Sequence, residues 1–292
     1  MKSGQHKIIA AMPAYNEEKY IGTMVLKTKQ YVDEVIIIDD GSTDNTAEVA
    51  RLAGATVIRH SINKGYGATI QSILTEARNR NPDVMVLIDA DYQHDPHDIP
   101  RMVKPILDGF DLVIGSRELV KNNIPLYRRI GQKVLLQSTR VLSGKRLSDT
   151  ESGFRTFSRR AITTLELKEN GMAISAEMVA EASARGLKVT EAPISVTYTK
   201  DSSTLNPLSH GLGVLARILA MISERKPRFF FGLGGTILII LGIIAGAKVL
   251  QTLSASGIML AGTALISVLF LMVGTFSIFT GIILHVIVNR RG

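Results

Sequence analysis

The sequence of 292 residues contains no cysteine and no tryptophan, and aromatic residues make up only 5% of it. Without cysteine there is neither a disulfide nor a thiolate zinc site. The shortage of aromatic side chains disfavours a platform on which nucleic acid bases stack, so we expect no nucleic acid partner. A Walker lysine loop is also absent, and the Gly65-Tyr66-Gly67 turn lacks the third glycine of a dinucleotide-binding fingerprint. These absences argue against a P-loop nucleotidase and a Rossmann dehydrogenase.

Positive charge is in excess, with a formal net charge of +8. Such a balance suits phosphate-bearing substrates or an anionic membrane surface. The N-terminal segment, Met1 to Lys7, is short and polar, and it does not resemble a secretory signal peptide.

Two long uncharged stretches lie towards the C-terminus. Residues 229–247 carry no charge, and in residues 257–288 His285 is the only titratable side chain. A helix needs roughly 20 apolar residues to cross a bilayer, so each stretch is long enough for one span. Lys248 is the only charged residue between them. Basic residues flank the pair, namely Arg225, Lys226, Arg228, Arg290 and Arg291. The positive-inside rule then predicts a membrane hairpin with both termini in the cytoplasm.

The segment just before the first span has an amphipathic pattern. Its leucine and isoleucine residues recur at helical spacing, at positions 208, 212, 215, 219 and 222. We predict a helix lying in the membrane interface, the alternative being a surface helix packed on the core. Three regions follow: a cytosolic domain over residues 1–205, the interfacial helix and basic linker over 206–228, and two transmembrane helices with a short outer loop over 229–292. Gly242 and Gly246 have the spacing at which membrane helices approach closely. The sequence leaves open whether the protein forms a homo-oligomer through these helices.

Short apolar runs alternate with helical patterns in the first region. The predicted strands are Lys7–Met12, Glu34–Asp39, Thr56–Arg59, Val84–Ile88 and Leu112–Gly115. Ser42 or Thr43 is the expected N-cap of the second helix. Beyond these elements we expect a loop over Asp149–Arg155 and strands over Lys188–Glu191 and Ile194–Tyr198. The alternation indicates the α/β class, with a mainly parallel sheet flanked by helices.

An acidic segment, Asp89-Ala90-Asp91-Tyr92-Gln93-His94, follows the fourth of these strands. Ligands of open α/β sheets bind at the carboxyl ends of strands. Alternate residues of an extended segment point the same way, so Asp89, Asp91 and Gln93 could present oxygens to one point. Oxygen donors of this kind suit Mg²⁺ or Mn²⁺. The alternative is that these carboxylates cap the helix that begins near Pro96.

Three motifs occur in the order and rough spacing of family 2 glycosyltransferases. They are Pro13-Ala14-Tyr15-Asn16-Glu17, Ile38-Asp39-Asp40-Gly41-Ser42-Thr43-Asp44 and Asp89-Ala90-Asp91. Further segments resemble the polyprenyl-phosphate group of that family, which contains the dolichyl-phosphate mannose and glucose synthases. These segments are Tyr92-Gln93-His94, Gly115-Ser116-Arg117, and Asp149 with Ser152-Gly153-Phe154. The resemblance covers roughly residues 7–200.

This resemblance implies a GT-A nucleotide-sugar-binding fold and a metal-dependent, inverting hexosyltransferase. The donor would be GDP-mannose or UDP-glucose, the acceptor a polyprenyl phosphate in the bilayer, and the cofactor Mg²⁺ or Mn²⁺. By position, the donor site would comprise Pro13, Tyr15, Glu17, Ile38, Asp40, Lys64, Asp89, Ala90 and Asp91. Asp89, Asp91 and Gln93 would hold the metal. Asp89, Asp91 and Arg117 would be catalytic, and the acceptor phosphate would contact Arg117, Arg128, Arg129 and Lys200.

The acceptor chemistry fits these assignments. A lipid phosphate monoester has a second pKa near 6, so it is largely ionised at neutral pH and needs no general base. It is repelled by the donor diphosphate, and Arg117, Arg128 and Arg129 could relieve that repulsion through bidentate contacts. The alternative for these arginines is a solvated basic face near the membrane.

Other polar residues have less certain roles. Asp149 could instead cap a turn at Ser152. Glu177 and Lys200 could reach the site or face solvent, and we expect His94 to be structural.

The sequence departs from the mannose synthases in ways that leave the sugar open. Gln132 stands where those enzymes carry a serine, and only Lys200 lies near the place of a further arginine. The absence of tryptophan excludes the Gln-x-x-Arg-Trp motif of processive synthases, so we predict transfer of a single sugar. Two alternatives are transfer to another membrane glycolipid and a non-catalytic scaffold that binds nucleotide sugars. The complete acidic motif argues against the scaffold.

Overall fold

The computed structural model of the protein describes residues 6–117, 136–144, 147–197 and 207–289. The chain divides into two compact units, Met1–Ile218 and Leu219–Gly292. The division falls within helix α8, Pro207–Arg225. The domain limits at residues 205 and 228 stay predictions.

The first unit is built on a seven-stranded sheet with the strand order β3-β2-β1-β4-β6-β5-β7. The strands are β1 Ile8–Ala14, β2 Glu34–Asp39, β3 Thr56–Arg59, β4 Val84–Leu87, β5 Leu112–Ser116, β6 Arg155–Ser158 and β7 Val189–Pro193. All neighbouring strands run parallel except at β6, which is antiparallel to both β4 and β5. The prediction of a mainly parallel sheet is confirmed.

Helices connect the strands. They are α1 Glu18–Thr28, α2 Thr46–Leu52, α3 Tyr66–Arg80, α4 Ile99–Leu107, α5 over 136–143, α6 Arg159–Thr164 and α7 Ile174–Ala184. A 3₁₀ turn, Pro96–Asp98, precedes α4, and the Asp95 side chain accepts a hydrogen bond from the His97 N–H at its start. Asp95, and not the acidic pair at 89 and 91, caps this turn.

Both faces of the sheet are buried. On β1, Ala10 and Met12 belong to one apolar cluster, whereas Ile9 and Ala11 belong to another. Successive strand residues point to opposite faces, so a strand covered on both sides must be apolar at every position. This requirement explains the continuous apolar runs of the sequence, and it leaves the strand ends as the places where polar side chains gather.

Strand β6 was missed by the sequence analysis, which predicted a loop up to Arg155. An arginine at the start of a four-residue strand looks like a solvent-exposed residue, yet Arg155 is only 1% exposed. Its guanidinium is satisfied by carbonyl oxygens, with Nη2 donating to Thr150 at 2.7 Å and Nε to Ser152 at 2.9 Å. These partners lie in the segment just before the strand, and no sequence pattern predicts them.

Two other local predictions are wrong. The segment predicted as a strand from Ile194 forms only a single antiparallel bridge, between His94 and Val196, within the described residues. Helix α2 has Asn45 at its N-cap, not Ser42 or Thr43. The Ser42 hydroxyl instead accepts a hydrogen bond from the Asn16 N–H at 2.9 Å, because it joins the loops after β1 and β2.

The second unit contains the two apolar helices, α9 Pro227–Ser256 and α10 Ala261–Asn289. They pack closely where glycines meet: a Cβ added at Gly235 would lie 2.5 Å from the carbonyl oxygen of Gly274. Ser267 donates to the Gly242 carbonyl oxygen at 2.7 Å, and Gly246 also faces Ser267. The small-residue pattern of α9 therefore closes the hairpin itself.

Most of the hairpin surface is apolar and exposed. In the most apolar part of each helix, only 11% and 17% of the residues are buried. Each helix is long enough to cross a bilayer. These features confirm the predicted apolar hairpin and point to membrane association.

The amphipathic helix α8 differs in detail from its prediction. Ile218 is fully buried, whereas Leu219, which the pattern placed on the apolar face, is 39% exposed. Ile222, another position of the predicted apolar face, is 3% exposed, so the prediction holds at Ile222 and fails at Leu219. Its placement in the membrane interface stays a prediction.

Candidate active site

Three adjacent parallel strands, β2, β1 and β4, end at one edge of the sheet, and the three sequence motifs follow these ends. A cleft of about 360 Å³ lies there. Of the predicted donor-site residues, those lining it are Pro13, Tyr15, Glu17, Asp40, Asp89, Ala90 and Asp91. Further lining residues include Tyr66, Glu151, Gly153, Met172 and Ser175. The topology thus brings most of the predicted donor site together.

The loop after β1 holds the first wall of the cleft. Asn16 adopts a left-handed backbone with φ of 56°, and its side-chain oxygen accepts from the Thr43 N–H at 2.8 Å. The Glu17 N–H donates to the Thr46 hydroxyl at 2.7 Å. These bonds fix Tyr15 and Glu17 at the rim, where Tyr15 is 46% exposed. An exposed aromatic ring beside an acid suits contacts with a nucleoside.

Asp40 organises the second wall. Its carboxylate is buried and accepts from the backbone N–H groups of Lys64 at 2.9 Å and Gly65 at 2.8 Å. The Nδ1 atom of His60 lies 2.7 Å from the same carboxylate. Asp40 therefore holds the loop before α3 in place as well as lining the cleft. Lys64 contributes its backbone to this arrangement.

Two predicted donor-site residues, Lys64 and Ile38, are not among those lining the cleft. Ile38 is 0% exposed and belongs to the core cluster on one face of the sheet. It lies one residue before Asp39, inside β2, so its side chain packs between sheet and helices. The motif predicted its neighbourhood correctly but not the direction of its side chain.

The acidic segment forms a tight turn and not an extended strand. Tyr92 has a left-handed backbone with φ of 63°, and its hydroxyl accepts from Lys27 Nζ at 2.6 Å. The turn lets Gln93 bond back to Asp91, through its backbone N–H at 3.1 Å and through its side-chain amide. Gln93 thus orients the carboxylate of Asp91. Its assignment as a metal ligand stays a prediction.

Asp89 lies deeper in the cleft, against Gly153. A Cβ at Gly153 would lie 1.9 Å from the Asp89 Oδ2 atom, so only glycine leaves room for this carboxylate. The Nε2 atom of His94 lies 3.6 Å from the same oxygen, and the His94 ring packs on Phe154 with centroids 5.6 Å apart. His94 is 5% exposed, in line with the structural role expected for it. Within the part of the chain that the structure describes, the Oδ1 atom of Asp89 is buried without a hydrogen-bond partner.

Negative charge accumulates at this edge. Burial, together with the charges of Asp91, Asp44 and Asp89, raises the pKa of Glu17 to about 7. Burial and the charge of Asp89 also raise the pKa of Asp91. Several carboxylates that disfavour one another's ionisation, one of them with an unpartnered oxygen, suit a cation.

The carboxylate oxygens of the cleft fit Mg²⁺ or Mn²⁺ when oxygens of the substrate complete the coordination of the ion. Among the residues that the structure describes, no three acidic or histidine side chains are arranged to hold an ion by themselves. Mg²⁺ is commonly bound by one or two carboxylates together with substrate phosphates and water. Asp89 and Asp91 can supply those carboxylates, and the donor diphosphate the remaining oxygens.

The opposite wall contains polar residues that the sequence analysis did not single out. Arg155 contacts α7, with Nη1 lying 3.2 Å from the Ser175 carbonyl oxygen and 2.9 Å from Met178 Sδ. Burial raises the pKa of Glu151, and burial followed by the charge of Asp89 holds the pKa of Tyr66 well above its usual range. Both groups line the cleft. In the sequence, Glu151 and Arg155 could have been found by their position, since they flank the Ser152-Gly153-Phe154 segment.

Arg117 is engaged by Asp149. The pair is bidentate, with Nε to Oδ2 at 2.6 Å and Nη2 to Oδ1 at 2.9 Å. Burial alone would raise the pKa of Asp149, but the hydrogen bonds and charge of Arg117 outweigh it and lower that pKa. Asp149 is thus an ion-pair partner, and Arg117 is not among the residues lining the cleft. The other predicted acceptor contacts, Arg128, Arg129 and Lys200, lie outside the described residues, as does Gln132.

Glu177 has neither of the roles considered for it. It is 3% exposed and accepts from the backbone N–H groups of Lys168 at 3.0 Å and Glu169 at 2.9 Å. The loop that it anchors contacts the start of α3, where the Gly67 N–H donates to the Asn170 carbonyl oxygen at 2.8 Å. The carboxylate therefore supports the cleft from behind.

An acidic cleft at the carboxyl ends of parallel strands defines a class of α/β proteins that bind phosphate-bearing ligands at this edge. The profile of Glycosyl transferase family 2 matches residues 9–165, and the chain belongs to this family. It is therefore a glycosyltransferase with a GT-A fold.

Two relatives bear names of polyprenyl-phosphate enzymes. The UDP-N-acetylglucosamine–dolichyl-phosphate N-acetylglucosaminyltransferase of Methanococcus voltae is 34% identical over 67% of this chain and 87% of its own. The dolichyl-phosphate hexose transferase of Haloferax volcanii is 29% identical over 76% of this chain and 96% of its own. These relatives confirm the resemblance to the polyprenyl-phosphate group.

A solved structure has the same fold. It is glucosyl-3-phosphoglycerate synthase of Mycobacterium tuberculosis, in complex with Mn²⁺, UDP-glucose and phosphoglyceric acid. It superposes with a TM-score of 0.58, at 21% identity, over 75% of this chain and 79% of its own. The similarity confirms the predicted nucleotide-sugar-binding fold.

Proposed function

We propose that the protein transfers one sugar, with inversion, from a nucleotide sugar to a polyprenyl phosphate in the membrane. The observation that carries this proposal is the acidic cleft, which Glu17, Asp89 and Asp91 line together. Among the described residues, one oxygen of Asp89 is buried there without a hydrogen-bond partner. An arrangement of this kind suits a cation and a diphosphate. The relatives named for dolichyl-phosphate transfer support the acceptor, and the apolar hairpin supports a substrate that lies in the bilayer.

Different residues of the chain would contact the nucleoside end and the sugar-diphosphate end of the nucleotide-sugar donor. Tyr15 and Glu17, at the rim, would contact the base and ribose, because a carboxylate can accept both ribose hydroxyls. Asp89 and Asp91 would lie at the sugar diphosphate and hold a divalent cation, which when bound neutralises the charge of the leaving group. Glu151 and Tyr66, on the opposite wall, would form hydrogen bonds with the sugar hydroxyls.

The reaction needs no proton transfer. One oxygen of the ionised lipid phosphate attacks the anomeric carbon, the new carbon–oxygen bond forms, and the bond to the nucleoside diphosphate breaks with its electron pair remaining on the diphosphate. Attack from the face opposite the leaving group inverts the anomeric configuration. The role of the protein is to bring two anions together in a site that favours their alignment.

The nature of the sugar is tested by a panel of donors. Purified protein is mixed with Mn²⁺ or Mg²⁺, a polyprenyl phosphate and, in separate tubes, labelled GDP-mannose, UDP-glucose or UDP-N-acetylglucosamine. The last donor is included because of the Methanococcus voltae relative. We expect label in the organic phase from one donor, and its loss with a chelator. Binding of donors without any transfer to lipid would contradict the proposal and favour another glycolipid acceptor or the scaffold.

The orientation in the membrane follows from the basic residues that flank the hairpin. We infer that the catalytic unit and both termini face the cytoplasm. Because the chain has no cysteine, a single introduced cysteine reports its own accessibility to a membrane-impermeant thiol reagent. In intact cells, Ser256→Cys at the end of α9 should react, whereas Ser61→Cys in the catalytic unit should react only after lysis. The reverse pattern would contradict this orientation.

A further inference from the structure

The chain between α6 and α7, residues 165–173, packs against the start of α3 and is named the rear loop. The Gln71 side-chain amide donates to the Glu169 carbonyl oxygen at 2.9 Å, and the Gly67 N–H donates to the Asn170 carbonyl oxygen at 2.8 Å. The two segments are in close contact, because a Cβ at Gly67 would collide with the Glu169 carbonyl oxygen. The rear loop therefore fixes the position at which α3 begins.

This contact extends to the acidic cleft, because both segments contribute lining residues. They are Gly65, Tyr66 and Thr69 at the start of α3, and Met172 in the rear loop. The Gly65 N–H also donates to the Asp40 carboxylate at 2.8 Å. The start of α3 is thus held by the end of β2 on one side and by the rear loop on the other. A displacement of the rear loop would change the shape of the cleft.

An ion pair joins the rear loop to α8. The Nε atom of Arg217 lies 2.7 Å from Glu169 Oε1. The Glu169 side chain is only 10% exposed, whereas that of Arg217 is 54% exposed. Both residues belong to the first unit, and neither lines the cleft. Because burying a carboxylate is costly unless it is paired, Arg217 stabilises Glu169 in its buried position.

Glu169 connects three helices through three different groups. Its N–H donates to Glu177 on α7, its carbonyl oxygen accepts from Gln71 on α3, and its carboxylate pairs with Arg217 on α8. A change at any one of these helices is therefore transmitted to the backbone of Glu169. The backbone of this residue is in turn in contact with the start of α3.

We propose that Glu169 is a positioning residue of the donor cleft, and that its ion pair with Arg217 holds the rear loop in the position that donor binding requires. Without the charge of Arg217, the Glu169 carboxylate would turn towards water and draw the rear loop away from α3. The donor would then meet a wider cleft. The effect on donor binding rests on the proposed function, whereas the effect on the rear loop does not.

Two measurements on the full-length protein in neutral detergent test this proposal. Hydrogen exchange followed by mass spectrometry reports the opening of the Gly67 N–H, whose acceptor is the Asn170 carbonyl oxygen. Isothermal titration calorimetry with UDP and with GDP, each in the presence of Mn²⁺, reports the affinity of the cleft for nucleotide. Neither measurement needs a lipid acceptor.

The variant Arg217→Gln is compared with a matched control, Arg160→Gln. Arg160 pairs with Asp111 at 3.4 Å, and the two side chains are 58% and 9% exposed, close to the values for Arg217 and Glu169. Asp111 precedes β5, so the control pair lies at the edge where the parallel strands begin, opposite to the cleft. Thermal unfolding of both variants measures any general loss of stability.

We expect Arg217→Gln to speed exchange of the Gly67 N–H about fivefold and to weaken nucleotide binding by a similar factor, since a partly exposed ion pair contributes about that factor. Arg160→Gln should change both quantities less than twofold. Arg217→Lys keeps the charge, and it should keep both within about twofold of the unmodified protein. Because Glu169→Gln and Arg217→Gln break the same pair, the double variant should lose no more than the weaker single variant.

Equal effects of Arg217→Gln and Arg160→Gln would overturn the proposal, as would losses that multiply in the double variant. Faster exchange with unchanged nucleotide affinity would show that the rear loop moves without positioning the cleft, and it would also overturn the proposal. A protein that binds neither nucleotide, or that binds one and transfers no sugar to lipid, would refute the proposed function. The exchange of the Gly67 N–H would still decide whether the ion pair holds the rear loop.

Discussion

Gly153→Ala separates catalysis from stability at the acidic cleft. An alanine Cβ at this position would lie 1.9 Å from Asp89 Oδ2, and contacts below 3.0 Å are essentially never seen. The carboxylate must therefore move by roughly 1 Å. Because the atom displaced is the end of a side chain and not backbone, we expect a stability loss of only about 1 kcal/mol, or roughly 2–4 °C in Tm. A displacement of about 1 Å at reacting groups can lower the rate about a hundredfold.

The assay compares Gly153→Ala with Gly171→Ala, in which the added methyl group meets nothing within 4 Å. Sugar transfer to lipid phosphate is measured at saturating donor and metal, beside thermal unfolding of each variant. We expect the control to keep at least half of the activity. Full activity in Gly153→Ala, with a normal Tm, would refute the claim that the position of Asp89 matters. A loss of Tm as large as a core mutation causes would refute the separation of the two effects.

The remaining predictions concern the metal, the charge of the cleft and the packing of its rear wall. Asp91→Asn should lower transfer at least about a hundredfold at every Mn²⁺ concentration, because the variant loses a carboxylate ligand, whereas Asp108→Asn at the exposed end of α4 should retain full activity. Retained transfer in Asp91→Asn would contradict its assignment to the metal. The pKa of Glu17 is about 7 in the folded chain against an ordinary value of 4.5, so the folded state binds more protons between these pH values and stability falls as pH rises through them. Glu17→Gln should therefore gain Tm relative to the unmodified protein between pH 5 and pH 8 in metal-free buffer, and identical pH profiles in the two proteins would contradict the pKa. Gly67→Ala should lower the free energy of unfolding by about 2 kcal/mol or more in denaturant titrations, because its Cβ would lie 2.3 Å from the Glu169 carbonyl oxygen, and an unchanged midpoint would show that this loop can move away.

The parts predictable from the sequence are those set by periodicity and by strand ends. Apolar runs gave the strands β1 to β5 to within about two residues at either end, because burial on both faces leaves little room for polar side chains. The same logic put the acidic residues at 89 and 91 at a ligand-binding edge. Here a local pattern and a general property of sheets are sufficient.

What could not be predicted depends on charged side chains whose partners are backbone atoms. Arg155 is buried because carbonyl oxygens, including that of Ser175, are brought around its guanidinium. Glu177 is buried because a loop folds over it and donates two backbone N–H groups. A charged residue whose partners are backbone atoms has no complementary residue type to search for in the sequence. Arg155 was therefore placed at the end of a loop, and Glu177 was assigned either to the active site or to a solvent-facing position.

The position of Arg117 illustrates a related limit. The sequence analysis assigned it to substrate phosphate because the resemblance to the polyprenyl-phosphate group implies that role. The structure pairs it with Asp149, which the analysis had noted separately as a turn residue. An arginine and an acid 32 positions apart become neighbours only through the fold. A contact between Arg117 and substrate phosphate stays a prediction. The Asp149→Asn variant, which weakens the ion pair with Arg117, would test whether this pair is needed for that contact.

The mass of the lipid product tests the central claim most directly. After reaction of the purified protein with metal, unlabelled donor and polyprenyl phosphate, the organic phase is examined by mass spectrometry. We predict a polyprenyl phosphate whose mass is increased by one sugar residue, and which mild acid converts back to polyprenyl phosphate and free sugar. A lipid that carries several sugars, or a sugar on a lipid without a phosphate link, would contradict the account.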